Sequence, residues 1–253
     1  MDTPVDVVGR VSALLRAVAA HEPTGARTSE LARRVGLARP TAHRLLTSLA
    51  EAGLADRDAA TGRWLLGPEL FFMGNAAKAR YDVTALAQPV VRRLAQLTGE
   101  SAFFSARRGD ETICLLREDG SFPIRSHVLR EGIRFPLGVA SAGLAVLSFL
   151  PDAEFEDYLA RTDLIAGFGA DHSADAVRER VATTRAEGWT VNPGLIVEGS
   201  WGMGAAVFDA AERPAWALSL TGIEQRFSAA RRRELGPLLL REAHALSIAL
   251  SRH

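Results

Sequence analysis

Residues 28–49, TSELARRVGLARPTAHRLLTSL, constrain this chain most, because they read as two short helices joined by a tight turn at Gly36. Thr28 stands where an N-cap hydroxyl takes a free backbone N–H, and Glu30 puts a negative charge in the first turn, where the helix dipole favours it. In the second helix Pro40 sits at the start, where a missing N–H costs nothing. There Ala42, Leu45, Leu46 and Leu49 recur at i, i+3, i+4 and i+7 and should face a core. The opposite side carries Thr41, His43, Arg44 and Thr47, with Arg39 at the helix start. Hydrogen-bonding side chains therefore project from the end of the helix that would enter a DNA major groove. Residues 27–44 hold five arginines and one acid. A basic run is often only a solvated face, but its coincidence with a two-helix motif favours nucleic acid.

The flanks complete the unit. Residues 6–20 carry Val7, Val11, Leu14, Leu15 and Val18 at helical spacing, an amphipathic helix able to pack on the next two. After Gly53, Leu54–Arg57 and Arg63–Leu66 read as short strands around an Asp-Ala-Ala-Thr-Gly turn. Three helices and a hairpin make a winged helix-turn-helix, with Arg57 and Arg63 on the wing in reach of phosphates. Lysine plus arginine equal aspartate plus glutamate at 30 each, so attraction to DNA must come from this local cluster and not from a global field.

The run SELARRVGLARPTAHRLLTSLAEAGL, followed by DAATGRWLLG, resembles the recognition unit and wing of the IclR family of bacterial transcriptional regulators, and the resemblance extends over essentially the whole chain. It implies an α+β protein in three parts. Residues 1–67 would be the winged helix-turn-helix DNA-binding domain, 68–83 a linker helix, and 84–253 a GAF-like antiparallel-sheet effector-binding domain. It also implies a homodimer, or a dimer of dimers, that binds double-stranded operator DNA under control of a small-molecule effector. The DNA-binding set is then Thr28, Arg39, Thr41, His43, Arg44, Thr47, Arg57 and Arg63.

The residues beyond the wing read in the same order. Pro68 opens a helix to residue 82, and Thr84–Thr98 forms another with Leu86, Val90, Leu94 and Leu97 at near-heptad spacing, ended by Gly99. SAFFSAR, ETICLLR and FPIRSHV, separated by turn residues, predict an antiparallel meander from residue 101. Helices are expected at 139–149, 152–160 and 173–187, then a strand near Trp189–Asn192, a hairpin of Met203–Phe208 with Ala215–Leu220, and a last helix from Ser228.

Carried over from the family, the effector pocket would be lined by Ser141, Ala142, Asn192, Gly202, Ser219 and Thr221. A helix start at Ser141 offers free N–H groups to a carboxylate, and Ser219 and Thr221 alternate on one strand, so both hydroxyls share a face. This chain departs from the family pattern where Asn192 replaces an acid, Leu195 a glutamate, Gly202 a Cys, Ser or Ala, and Leu144 a lysine. With Pro193, Gly194 and Trp201 these changes predict a roomier pocket with an aromatic wall. The expected effector is an aromatic or relatively apolar organic acid, with Arg125 or Arg134 as carboxylate partner.

Other classes fit poorly. A lone cysteine, Cys114, excludes an intrachain disulfide and a Cys-only zinc site. No Gly-x-Ser-x-Gly elbow occurs, the only lysine, Lys78, lies outside any phosphate loop, and the histidines are scattered, so neither catalysis, a cofactor nor a metal is expected. The apolar run at 138–150 is too short to span a bilayer and the N-terminus lacks a signal-peptide pattern, which predicts a cytoplasmic protein. The alternative, a ligand-sensing or enzymatic GAF-like protein not acting through DNA, would require a vestigial recognition helix.

Overall fold

A computed structural model describes residues 6–81, 83–124 and 128–252. Its backbone divides into two compact units, Met1–Tyr81 and Asp82–His253.

The first unit runs α1 (Val7–Ala19), α2 (Thr28–Arg34), α3 (Arg39–Glu51), β1 (Ala55–Arg57), β2 (Trp64–Leu66) and α4 (Pro68–Tyr81). Leu14, Val18, Leu31, Ala42, Leu46, Leu49 and Trp64 form its core, so the helical spacing reports the buried faces except at Val7, which stands 51% exposed at the start of α1. The wing strands pair antiparallel from Ala55 opposite Leu66 to Arg57 opposite Trp64. Ala26 extends them, exchanging backbone hydrogen bonds with Trp64 at 2.8 and 3.1 Å. One expectation fails at α2. Its N-cap is Arg27, whose backbone N–H donates to the Glu30 carboxylate at 2.8 Å and holds that carboxyl below the usual range. Thr28 is already helical, and its hydroxyl accepts the Trp64 indole N–H at 2.9 Å. A buried indole needs an acceptor, and that long-range need takes the hydroxyl away from capping.

The second unit begins with α5 (Val83–Thr98), β3 (Ser101–Arg108), β4 (Glu111–Glu118) and β5 (Arg134–Pro136). There follow α6 (Ser141–Ser148), α7 (Asp152–Arg161), α8 (Ile165–Phe168), α9 (Ala174–Glu187), β6 (Thr190–Pro193), β7 (Ser200–Phe208), β8 (Pro214–Ile223) and α10 (Ala229–Leu250). The strands form one antiparallel sheet in the order β5-β4-β3-β8-β7-β6. Strand alternation sends Phe104, Met203, Ala205, Leu218 and Leu220 to the face covered by α5 and α10. Ala206 and Ala217 go to the other face, under α6 with α7 and α9 outside it. Every residue of α6 is buried, as a helix without a polar side must be. No helix among the described residues is long and apolar enough to cross a membrane.

Two expectations need correction here. The third strand of the meander is β5, at 134–136, and not 122–128, of which 125–127 lie outside the described residues. Gly120 packs so closely on Gly99 that a Cβ would lie 2.0 Å from the Gly99 carbonyl oxygen, and the Phe122 N–H donates to that same oxygen at 3.1 Å. The chain is thereby turned off the sheet edge directly after β4. In α5, Leu97 is 60% exposed, while Ala87, Val90, Val91, Leu94, Ala95 and Thr98 are buried. The stripe follows the 3.6-residue period, and its alanines let the helix lie close to the sheet.

The β7–β8 hairpin carries a backbone strain that a substitution can remove. Asp209 accepts the Ala211 and Arg213 N–H groups at 2.9 Å each, and this loop holds Glu212 at φ 57°, a left-handed conformation that glycine adopts freely. Glu212→Gly should raise stability by roughly 0.5–1 kcal/mol. A lower denaturation midpoint in urea would show that the glutamate side chain contributes more than its backbone costs.

Candidate functional site

On the first unit, α3 presents one face away from the core. Arg39, His43 and Arg44 are exposed and Thr41 half-buried along it. Among the described residues the side chains of Arg39, Thr41 and Arg44 have no hydrogen bond or ion pair, which leaves two guanidinium groups and a hydroxyl unspent. His43 sets its ring edge-on to Trp64, 6.3 Å between centroids, and the Arg57 guanidinium stacks 5.5 Å over the same indole. Trp64 thus fixes the position of the wing relative to the outer face of α3. The sequence reading treated it only as a strand residue, although a large aromatic in an otherwise polar hairpin was the available signal.

The structure engages three members of the expected DNA-binding set in bonds within the fold. The Thr28 oxygen is taken by Trp64. Thr47 donates its hydroxyl to the His43 carbonyl one turn back at 3.0 Å, the usual fate of a helical threonine. Arg63 donates to the Gly25 carbonyl at 2.9 Å and so ties the base of the wing to the α1–α2 loop instead of standing free for a phosphate.

On the second unit, Ser141, Asn192, Gly202 and Thr221 come together around a cavity of about 20 Å³. Val128, Leu129 and Ile196 supply its apolar side. Ala142 and Ser219, both buried, lie beside this lining and not on it. The first intrahelical bond of α6 runs from the Leu144 N–H to the Ala140 carbonyl at 2.9 Å, so the N–H groups of Ser141, Ala142 and Gly143 precede the helical ladder at this end. On β8 the hydroxyls of Ser219 and Thr221 are buried without a hydrogen-bond partner among the described residues. Each such hydroxyl costs about 1–3 kcal/mol relative to a paired one, so the pair marks a place built for a polar group.

Several pocket expectations change. Gly202 does not open space, because a Cβ there would lie 2.7 Å from the Ser141 hydroxyl oxygen, which already fills that volume. At Gly204 a Cβ would lie 2.7 Å from the Ser141 carbonyl oxygen, so the two glycines let the start of α6 rest on the sheet. The pocket is therefore close-fitting, with room for about one water, and not roomy. Trp201 borders the cavity, but its ring belongs to the α10 face of the sheet, where the Arg232 guanidinium stacks on it at 5.1 Å. It is no aromatic wall. Asn192 spends both ends of its amide on the fold, donating to the Val139 carbonyl at 2.8 Å and accepting the Leu195 N–H at 3.0 Å. It braces the α6 entry against the β6–β7 loop. Arg134 is exposed on the edge strand and ion-paired with Glu111, away from the cavity, and Arg125 lies outside the described residues.

Little else among the described residues suits chemistry. Burial pushes the Cys114 thiol up to about 12, which keeps it protonated and unreactive. Among the described residues no three His, Cys, Asp or Glu side chains gather in a metal-binding group.

Comparison with known proteins agrees with both halves of this description. Residues 75–248 match the family model for the bacterial transcriptional regulator IclR C-terminal domain, and residues 7–59 that for the IclR helix-turn-helix domain. The chain is 29% identical to the HTH-type transcriptional regulator KipR of Bacillus subtilis, over 82% of each protein. It is 28% identical to the regulator BhcR of Paracoccus denitrificans, over 90% of this chain and 82% of that one. Among solved structures it resembles an IclR homolog from Microbacterium hydrocarbonoxydans complexed with 4-hydroxybenzoate. That match has a TM-score of 0.75 and 21% identity, over 96% of this chain and 99% of the other.

Proposed function

The chain belongs to the IclR family of bacterial transcriptional regulators, and from that premise we propose how its two units read DNA and sense a ligand. It is a DNA-binding regulator and not an enzyme. Two copies would present α3 to successive major grooves of a near-palindromic operator, with Arg44 and Thr41 at base edges, Arg39 and His43 at the backbone, and Arg57 reaching a phosphate from the wing. The observation that carries this is the exposed face of α3, where the Arg39 and Arg44 guanidinium groups and the Thr41 hydroxyl are left without a partner, beside a wing whose Arg57 stacks on Trp64. Val7 and Val8 on α1 and Phe71, Phe72 and Met73 on α4 are large, exposed and apolar, and they suit self-association. We take residues 1–67 as the DNA-binding domain, 68–83 as the linker and 84–253 as the effector-binding domain, acting in the cytoplasm.

For the effector we propose a relatively apolar or aromatic organic acid. Its carboxylate would meet the free N–H groups at the start of α6, its polar far end the Thr221 hydroxyl and, once the lining opens, that of Ser219, and its body Val128, Leu129 and Ile196. The 4-hydroxybenzoate bound to the Microbacterium protein is an acid of this kind. With a cavity of about 20 Å³, binding must select or create a more open arrangement, and DNA affinity changes only by the ligand's preference for one arrangement.

Binding of the full chain to a duplex selected from a random pool, followed across salt concentration, tests the DNA reading. Arg44→Ala should cost about 1–3 kcal/mol and relax specificity at one position, whereas Arg39→Ala should weaken all sequences alike and reduce the salt slope by about 1. Unchanged selectivity in Arg44→Ala removes it from base readout. For the ligand, a thermal-shift series with 4-hydroxybenzoate, aliphatic keto acids and phenols should give about 2.7 kcal/mol of stabilisation at 100 times the dissociation constant. Ser219→Ala with Thr221→Val should abolish that shift without lowering ligand-free stability, since it deletes two unpaired buried hydroxyls. A response confined to small keto acids would overturn the apolar reading.

A further inference from the structure

On the face of the sheet opposite the pocket, directly behind its floor, a buried carboxylate pairs with a guanidinium that is one third exposed. The Glu100 side chain is 1% exposed and accepts from Arg226 Nε at 2.7 Å. Its carboxylate presses on Gly222, where a Cβ would lie 2.3 Å from Oε2. Gly222 follows Thr221, so one strand residue separates the unpaired hydroxyl at the pocket from the carboxylate behind it. Arg226 also donates to the Thr98 carbonyl at 3.3 Å, and Arg231 donates to the same oxygen at 3.2 Å. Thr98 is the last residue of α5, the helix that follows α4 in the chain. The Arg226 guanidinium finally stacks at 4.6 Å on Phe122, in the segment that runs on toward Val128 and Leu129 of the pocket.

We propose that Glu100 and Arg226 are positioning residues that carry a displacement of the pocket floor at Thr221 to the C-terminal end of α5. The inference rests on the cavity being the effector site. The argument is mechanical. A ligand with the volume of an aromatic ring cannot enter a cavity sized for about one water unless the lining moves, and Thr221 belongs to a central strand of that lining. Because Gly222 has no side chain, movement of the strand acts on the Glu100 carboxylate through direct backbone contact, and the bond from Arg226 limits how far that side chain can turn aside. A buried carboxylate cannot slip from its guanidinium without being left unpaired, so Arg226 must follow, and Arg226 holds the α5 terminus through Thr98. Of the acids near this hub, Asp119 pairs with Arg117 and Glu234 with Arg231, which leaves Glu100 as the partner of Arg226. This gives a contiguous physical route from pocket to helix end, and coupling along it is measurable.

The test needs neither effector nor operator, so its failure is separate from failure of the ligand reading. In the full chain, Gly202→Ala serves as a surrogate occupant, since its methyl would lie 2.7 Å from the Ser141 hydroxyl, 3.3 Å from the Leu220 carbonyl and 3.6 Å from a Thr221 methyl. Hydrogen exchange is read at residues 95–99, with residues 139–144 reporting that the pocket itself was perturbed. Gly202→Ala should change exchange at 95–99 by about tenfold or more. The increment should vanish in the Arg226→Met background and return in part with Arg226→Lys. A purely structural Arg226 would instead raise exchange in both backgrounds and leave the increment intact. That result overturns the proposal, as does a change at 139–144 with none at 95–99 in the otherwise native chain. If Gly202→Ala does not fold, Thr221→Ile adds bulk at the same floor and is read the same way.

Discussion

Trp64→Ala should cost the N-terminal unit about 3–5 kcal/mol and abolish DNA binding, the largest loss expected from any single change there. Trp64 is 2% exposed and is the largest side chain of that core. Its indole N–H is bonded to Thr28, its backbone pairs with both Ala26 and Arg57, and its ring supports His43 and Arg57. Truncation would remove packing, leave α2 without a tie to the wing, and free the wing from the outer face of α3. A domain of this size has only a few kcal/mol to spare, so the loss approaches its whole stability. Trp64→Phe separates the contributions, since it keeps most of the packing and should cost nearer 1–2 kcal/mol through the lost indole bond. The measurement is thermal unfolding of the full chain, where the two units need not melt together, so an earlier separate transition is the signature. Duplex affinity retained by Trp64→Ala at a temperature where wild type is folded would refute the role given to this residue.

What the sequence disclosed and what it hid divide along the range of the interactions involved. The α2–turn–α3 unit was legible because its determinants are local: Gly36 at the turn, Pro40 in the first turn of α3, and leucines at helical spacing. The helix at 139–149 was legible from its apolar run. Apart from Thr47, the residues whose bonding went unread have partners far away in the chain. Thr28 meets Trp64, Arg63 meets Gly25 and Asn192 meets Val139, at separations of 36, 38 and 53 residues, and no local pattern announces such a bond. Gly202 illustrates the same limit in reverse. A missing side chain suggests space, but whether space results depends on what packs opposite, and here Ser141 does. The edge strand was misplaced because apolar alternation over 122–128 is a period signal, whereas the pairing was decided by the contact of Gly120 with Gly99.

The second large effect concerns Arg226. Arg226→Met should destabilise the C-terminal unit by about 1–3 kcal/mol at neutral pH, because it leaves the Glu100 carboxylate buried and unpaired, an effect softened by the one-third exposure of the guanidinium. The pH dependence identifies the cause. Burial already pushes the Glu100 carboxyl above the usual carboxylate range, against the pull of Arg226 and, more weakly, Arg231. A carboxyl whose folded-state pKa lies above its unfolded value favours folding more as pH falls through the folded pKa, since the neutral acid tolerates burial. Without Arg226 that pKa must rise further, so the penalty should be largest near pH 8 and shrink toward about pH 5. Wild type should show a weaker trend of the same sign from this group. Replacing the whole pair, Arg226→Met with Glu100→Leu, should recover most of the loss, as buried pairs exchanged for apolar side chains often do. Urea midpoints across that pH range decide the matter. A penalty independent of pH would mean that Arg226 acts through its stacking on Phe122 and its bond to Thr98, and that the charge of Glu100 is incidental.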